Sequence, residues 1–97
     1  MAGYIIVDIN VTDAKQYEVY KRLGSLATEK YGGVYLTRGG KVETLEGNWR
    51  PSRVVVLRFD SFEKAKEWYA SYEYELAIQA RKGASISNVI VCEGLEA

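Results

Sequence analysis

Apolar and polar residues alternate from Tyr4 to Val11, with Ile5, Val7, Ile9 and Val11 on one side and Tyr4, Ile6, Asp8 and Asn10 on the other. A period of two is strand periodicity. The period changes after Thr12, where Asp13 is placed to cap a helix and Gln16 to complete a capping box. A helix is predicted to about Lys30, with Tyr17, Tyr20, Leu23, Ala27 and Tyr31 near one face. Gly24 weakens its middle by about 1 kcal/mol, and Gly32-Gly33 stops it. Val34–Arg38 and Lys41–Glu46 are extended runs separated by Gly39-Gly40, which suits a two-residue primed turn, so a tight hairpin is predicted. Gly47–Ser52 reads as a loop, and Arg53–Phe59 as a strand dense in β-branched residues. Asp60 is placed to cap a second helix with Glu63 at the reciprocal position, and Phe62, Ala65, Trp68 and Tyr69 form its buried stripe. Ser71 is placed to cap a third helical segment over 72–82, ended by Gly83, before a last strand at Asn88–Glu93.

The order is β-α-β-β-α-β over residues 1–97, with the second helix broken at Ser71 and no linker between parts. Right-handed crossovers make this one α+β domain of ferredoxin-like topology, an antiparallel sheet with helices on one face. Helices cover only one face, yet Tyr4 and Ile6 oppose Ile5 and Val7, and Val54 and Val56 oppose Val55, Leu57 and Phe59. A large bare apolar face is what monomers avoid, so a homodimer packed sheet to sheet is expected. Asp8, Asn10 and Arg58 alternate into these faces, which places them at a wet rim or in a polar pocket.

Thirteen basic residues balance thirteen acidic ones, so the electrostatic footprint of a nucleic-acid binder is missing. The apolar runs are strand-length, and no membrane span is expected. Met1-Ala2-Gly3 passes directly into the first strand without the regions of a signal peptide, and one cysteine, Cys92, allows no internal disulfide. The expectation is a cytoplasmic protein. Histidine is absent, which excludes His-based triads and argues against zinc, haem or non-haem iron, so no metal and no cofactor are expected.

Tyr31-Gly32-Gly33, Arg38-Gly39-Gly40, Glu46-Gly47-x-Trp49-x-Pro51-x-Arg53, Phe59-x-Ser61, Trp68-Tyr69-x-Ser71-x-Glu73-Tyr74 and Arg81 together resemble the domain-of-unknown-function family 1330. That family belongs to the dimeric α/β barrel superfamily. The resemblance covers nearly the whole chain. It departs at Ala14 and Tyr72, where the family often carries a helix-starting proline. It implies a homodimer of ferredoxin-like subunits and brings no established activity. The superfamily includes cofactor-independent monooxygenases, lactone isomerases, haem-handling proteins and small sensory modules; the missing histidine counts against the haem branches.

Candidate chemistry gathers around the predicted hairpin. Trp49 beside Arg50 and Arg53 can wall a pocket and clamp an anion, or pack over a sheet edge with the arginines in solvent. Arg38 can grip a carboxylate through its planar fork, or pair with Glu46 or Glu43 across the hairpin. Glu46 is the first proton-transfer candidate and Asp8 the second, with Asn10 placed to orient a substrate. Trp68 is expected in the core beside Tyr69, Tyr72 and Tyr74, and Tyr74 and Arg81 can face the sheet from the third helical segment. Cys92 is expected to be buried and inert. Three functions compete: a binding module for a small, carboxylate-bearing metabolite, a cofactor-independent enzyme acting on a small aromatic or aliphatic acid, and a structural dimer with no ligand.

Overall fold

The computed structural model describes residues 1–95. Four strands, β1 (Gly3–Val11), β2 (Val34–Arg38), β3 (Arg53–Phe59) and β4 (Ser85–Glu93), form one antiparallel sheet in the order β2-β3-β1-β4. The central β1 pairs with β3 through Ile5↔Leu57 and Val7↔Val55, and with β4 through Ile5↔Val91 and Val7↔Val89. Helices α1 (Ala14–Lys30), α2 (Phe62–Ala70) and α3 (Tyr72–Arg81) supply the second layer. This is the ferredoxin-like fold. Ile5, Val7, Ile9, Val55, Leu57 and Phe59 meet Tyr17, Ala27, Ala65, Trp68, Tyr74 and Ala77 in the core between the layers. No helix among the described residues is long and apolar enough to cross a membrane.

Helix α1 starts as its sequence requires, with the Asp13 carboxylate accepting from the Gln16 amide at 3.1 Å. The Gln16 side chain does not close the capping box; it donates to the Ala80 carbonyl and ties α1 to α3. Ser61 caps α2 in place of Asp60, because its hydroxyl is the one that reaches the Lys64 amide. Ser71 serves both sides of the break. Its hydroxyl donates to the Trp68 carbonyl at 2.7 Å and accepts from the Tyr74 amide at 3.1 Å.

The predicted hairpin does not form. Strand β2 pairs directly with β3, Val34 facing Arg58 and Arg38 facing Val55, and residues 39–52 cross the gap as a loop. A primed two-residue turn needs positive φ at both centres, and only Gly39, at φ 79°, adopts it. Lys41–Glu46 carries three charges in six residues, whereas β3 offers Leu57 opposite Tyr35 and so buries more apolar surface. A bulge between Tyr35 and Thr37 adjusts the register, with the Thr37 hydroxyl bridging the Val54 carbonyl and the Val56 amide. Cys92 also differs from expectation: it is exposed, because it alternates onto the face of β4 that no helix covers.

Removing the Ser71 hydroxyl takes away an N-cap and one of the two hydrogen bonds to the Trp68 carbonyl, the other coming from the Ser71 amide. Ser71→Ala is expected to cost about 1–2 kcal/mol in urea unfolding, with the m-value unchanged.

Candidate functional site

The helix layer meets the sheet unevenly. Helix α2 lies close to β1, β3 and β4, while the principal partner of α1 is α3. Large aromatic side chains span the remaining gap. Trp68 packs on Phe59 with ring centroids 5.3 Å apart and on Tyr74 at 4.0 Å; Tyr74 meets Tyr20 edge-on at 6.2 Å, and Tyr20 meets Tyr17 at 5.1 Å. A cavity remains between them, bounded by Val7, Ile9, Val55 and Leu57 from the sheet and by the aromatic rings from above. Its closed volume is about 20 Å³, room for roughly one water. Lys21, Gly24 and Thr28 of α1 and Tyr35 and Arg38 of β2 line its side at the α1–β2 seam. Gly24 and Thr28 are buried, whereas Arg38 is exposed.

Two arginines line this cavity and Arg81 lies behind it, each over its own tyrosine: Arg38 over Tyr35 at 4.3 Å, Arg53 over Tyr17 at 5.7 Å and Arg81 over Tyr20 at 4.9 Å. Arg38 also donates to the Ser25 hydroxyl and Arg81 to the Tyr74 hydroxyl. Ion pairs among the described residues are Lys21–Glu18, Lys30–Glu73 and Arg58–Asp60, so none of these three arginines has a carboxylate partner. For the half-buried Arg53 and the buried Arg81, cation–π contact contributes about 0.5–2 kcal/mol per pair, less than the several kcal/mol that full desolvation of a guanidinium costs, whereas Arg38 is exposed. The cavity is therefore electropositive.

Hydrogen-bond accounting gives the same sign. The Tyr20 and Tyr74 hydroxyls bond each other at 2.7 Å. Two buried N–H groups have no acceptor, Arg53 Nε and Trp68 Nε1, and both residues line the cavity. An unsatisfied buried donor costs about 1–3 kcal/mol. Donors are in surplus here. Burial pushes the Tyr20 hydroxyl well above its ordinary range, reinforced by neighbouring Tyr74, and burial likewise raises Tyr17 and Tyr74. At neutral pH these rings are neutral phenols.

The residues singled out in the sequence fall on opposite faces of the sheet. Arg38, Arg53 and Tyr74 line the cavity, and Arg81 stands behind it through Tyr74. Tyr69 packs against Trp68 and Tyr74 but faces a separate cleft with Lys66, Val89 and Val91. On the uncovered face the Trp49 indole donates to Asp8 Oδ2 at 2.8 Å, and Ser52 donates to Asn10. Glu46 and Arg50 are exposed in the same loop, and Glu46 and Glu43 form no ion pair with Arg38. Sequence reasoning missed Tyr17, Tyr20, Tyr35 and the Trp68 indole as cavity groups. The available signal was the α1 face Tyr17, Tyr20, Lys21, Gly24, Thr28, more polar than a core stripe requires.

The chain matches the family model described as a domain of unknown function (DUF1330) over residues 2–95. It belongs to the DUF1330 family. No curated protein matches it in sequence. Among solved structures, this DUF1330 protein resembles RPA0582, a protein of unknown function from Rhodopseudomonas palustris, with TM-score 0.77, 18% identity, and 99% of this chain and 84% of that one covered. It also resembles SnoaB, a cofactor-independent oxygenase from Streptomyces nogalater, with TM-score 0.68, 10% identity, and coverage of 99% and 95%. A dimeric protein of unknown function with a ferredoxin-like fold from Bacteroides fragilis aligns with TM-score 0.56, 15% identity, and coverage of 96% and 96%. At such identities the likeness is one of fold.

The buried phenols set a pH limit. Tyr17, Tyr20 and Tyr74 have folded pKa values above the unfolded 10.0, so their contribution to stability is complete below pH 10 and is lost as pH rises beyond it. Ultraviolet titration is expected to show Tyr17, Tyr20 and Tyr74 ionising only well above pH 10, together with unfolding.

Proposed function

We propose that this DUF1330 protein is a homodimer in which each subunit binds a small carboxylic acid, its anionic head entering the cavity between the helices and the sheet. One observation carries the reading: Arg38 and Arg53 line a cavity with two unpaired donors, Arg81 stands behind it through Tyr74, and none of the three has a carboxylate partner among the described residues. A carboxylate supplies both the missing charge and the missing acceptors. The volume of about 20 Å³ is room for about one water, so one carboxylate oxygen enters it and the rest of the molecule lies along the α1–β2 seam past Gly24 and Arg38. This is recognition chemistry. Proton transfer would need a base, and Tyr17, Tyr20 and Tyr74 at the cavity are held as neutral phenols.

The uncovered face supports the dimer. Val34, Leu36, Ile86 and Ile90 are all more than half exposed there or at its edge, and Ile6, Val54 and Val56 lie between them. A second copy is the occupant that two-fold symmetry provides without another gene product. Trp49, Asp8, Asn10 and Glu46 belong to this face and to the loop over it. In the dimer they border the partner, and the exposed Cys92 fits a cytoplasmic, reducing setting.

Gly24 separates binding from folding. A Cβ there would meet the Tyr20 ring at 3.6 Å, an ordinary contact, so alanine fits without strain while narrowing the cavity. Gly24→Ala is expected to stabilise the helix by about 1 kcal/mol, raising Tm by roughly 4–8 °C, and to weaken the stabilisation by benzoate or acetate in a thermal-shift assay. Undiminished acid binding in the more stable variant would remove the cavity from consideration. Light scattering is expected to give a dimer for the wild type and a monomer for Ile90→Glu; a monomeric wild type would contradict the assembly.

A further inference from the structure

Gly39 was accounted for in the sequence by turn geometry, yet its surroundings ask more of it. A Cβ at this position would lie 2.0 Å from Arg53 Nη1, 2.7 Å from its Cζ and 3.3 Å from Nη2. The guanidinium of Arg53 is thus pressed flat against the backbone of the turn, with Tyr17 as its other contact. The turn itself is tied to β3 by the Gly39 amide donating to the Val54 carbonyl at 3.3 Å. Gly47 is the natural comparison: it also has positive φ, 88°, in the same loop, and a Cβ there would meet nothing within 4 Å. Backbone conformation therefore requires glycine at both positions, while only Gly39 must also make room for an arginine.

The orientation decides which edge of the guanidinium is free. Gly39 sits closest to Nη1, so the turn crowds that end of the guanidinium and leaves the Nε–Nη2 edge the less crowded. Nε is buried without an acceptor and lies on the other edge, beside Nη2. A planar two-oxygen anion matches that edge with two parallel hydrogen bonds. We infer that Gly39 is a positioning residue for the anion site, holding Arg53 so that it takes a carboxylate side-on through Nε and Nη2. The inference rests on the carboxylic-acid reading above and deepens it: the head is a planar carboxylate bound bidentately, and a lone positive charge at position 53 does not suffice.

The test compares Gly39→Ala, Gly47→Ala and Arg53→Lys with the wild type by calorimetry with benzoate. Both alanine variants carry the strain of positive φ and lose stability, and Gly39→Ala must in addition displace the Arg53 guanidinium. Gly39→Ala is expected to lose at least tenfold in benzoate affinity, whereas Gly47→Ala binds as the wild type does. Arg53→Lys leaves the turn untouched, keeps the charge and loses the fork; it is expected to lose at least tenfold as well, and it keeps the inference testable if Gly39→Ala fails to fold. In nitrogen-15-labelled wild type the Arg53 Nε–H resonance is expected to move downfield as benzoate is added, a change that a purely structural Gly39 would not influence. Equal affinity for Gly39→Ala and Gly47→Ala, or wild-type affinity in Arg53→Lys, would overturn the inference while leaving acid binding intact. Failure of the wild type to bind benzoate or acetate would instead remove the carboxylic-acid reading itself.

Discussion

A guanidinium in a largely apolar interior must find an anion, enough hydrogen-bond acceptors, or water, and Arg53 has none of these in full. Its position follows from the aromatic layer. Tyr17, Tyr20, Tyr74 and Trp68 are too large and too polar at their edges to close the gap between α1, α3 and the sheet as aliphatic side chains would. The hydroxyls consume one another, the rings accept the faces of the arginines, and the N–H groups are left over. A surplus of donors beside uncompensated positive charge is the condition that an entering carboxylate relieves. The energetic cost is spread over the fold: Ser71 fixes both neighbouring helices, and Gly24 forgoes helix stability at the cavity wall.

The two faces of the sheet separate two tasks. On the covered face, alternate residues of β1 and β3 build the core and bring Arg53 into the cavity. On the other face, the intervening residues form an apolar surface with Asp8 and Asn10 at its polar end. The loop 39–52 connects them. Gly39 begins it against Arg53, and Trp49 ends it on Asp8.

Much of the fold was legible because strong local signals agreed with the global pattern. The strand periodicity of β1 and β3, the Asp13 and Ser71 caps and the glycine stops all appear where the spacing places them. The hairpin was not, because Gly39-Gly40 is a local signal and the partner of β2 is chosen by burial against a distant strand. At the candidate site, Arg38, Arg53, Tyr74 and Arg81 were legible as charges and aromatics with no evident local use. Their grouping apart from Glu46, Asp8 and Trp49 was not, since neighbours along the loop and strand alternate to opposite faces once the register is set. Tyr17 and Tyr20 were assigned to packing, which they also do. The two unpaired donors beside them, Arg53 Nε and Trp68 Nε1, have no signal in the sequence.

A crystal structure of the protein with 4-bromobenzoate bears most directly on the central claim, because bromine is located by its anomalous signal. The expected density places the carboxylate against Arg53 Nε within the helix–sheet cavity and the bromine toward Gly24 and Arg38 at the α1–β2 seam. Bromine bound only beside Trp49 on the uncovered face, or only in the cleft between Tyr69 and Val89, would contradict the assignment of the cavity as an anion site.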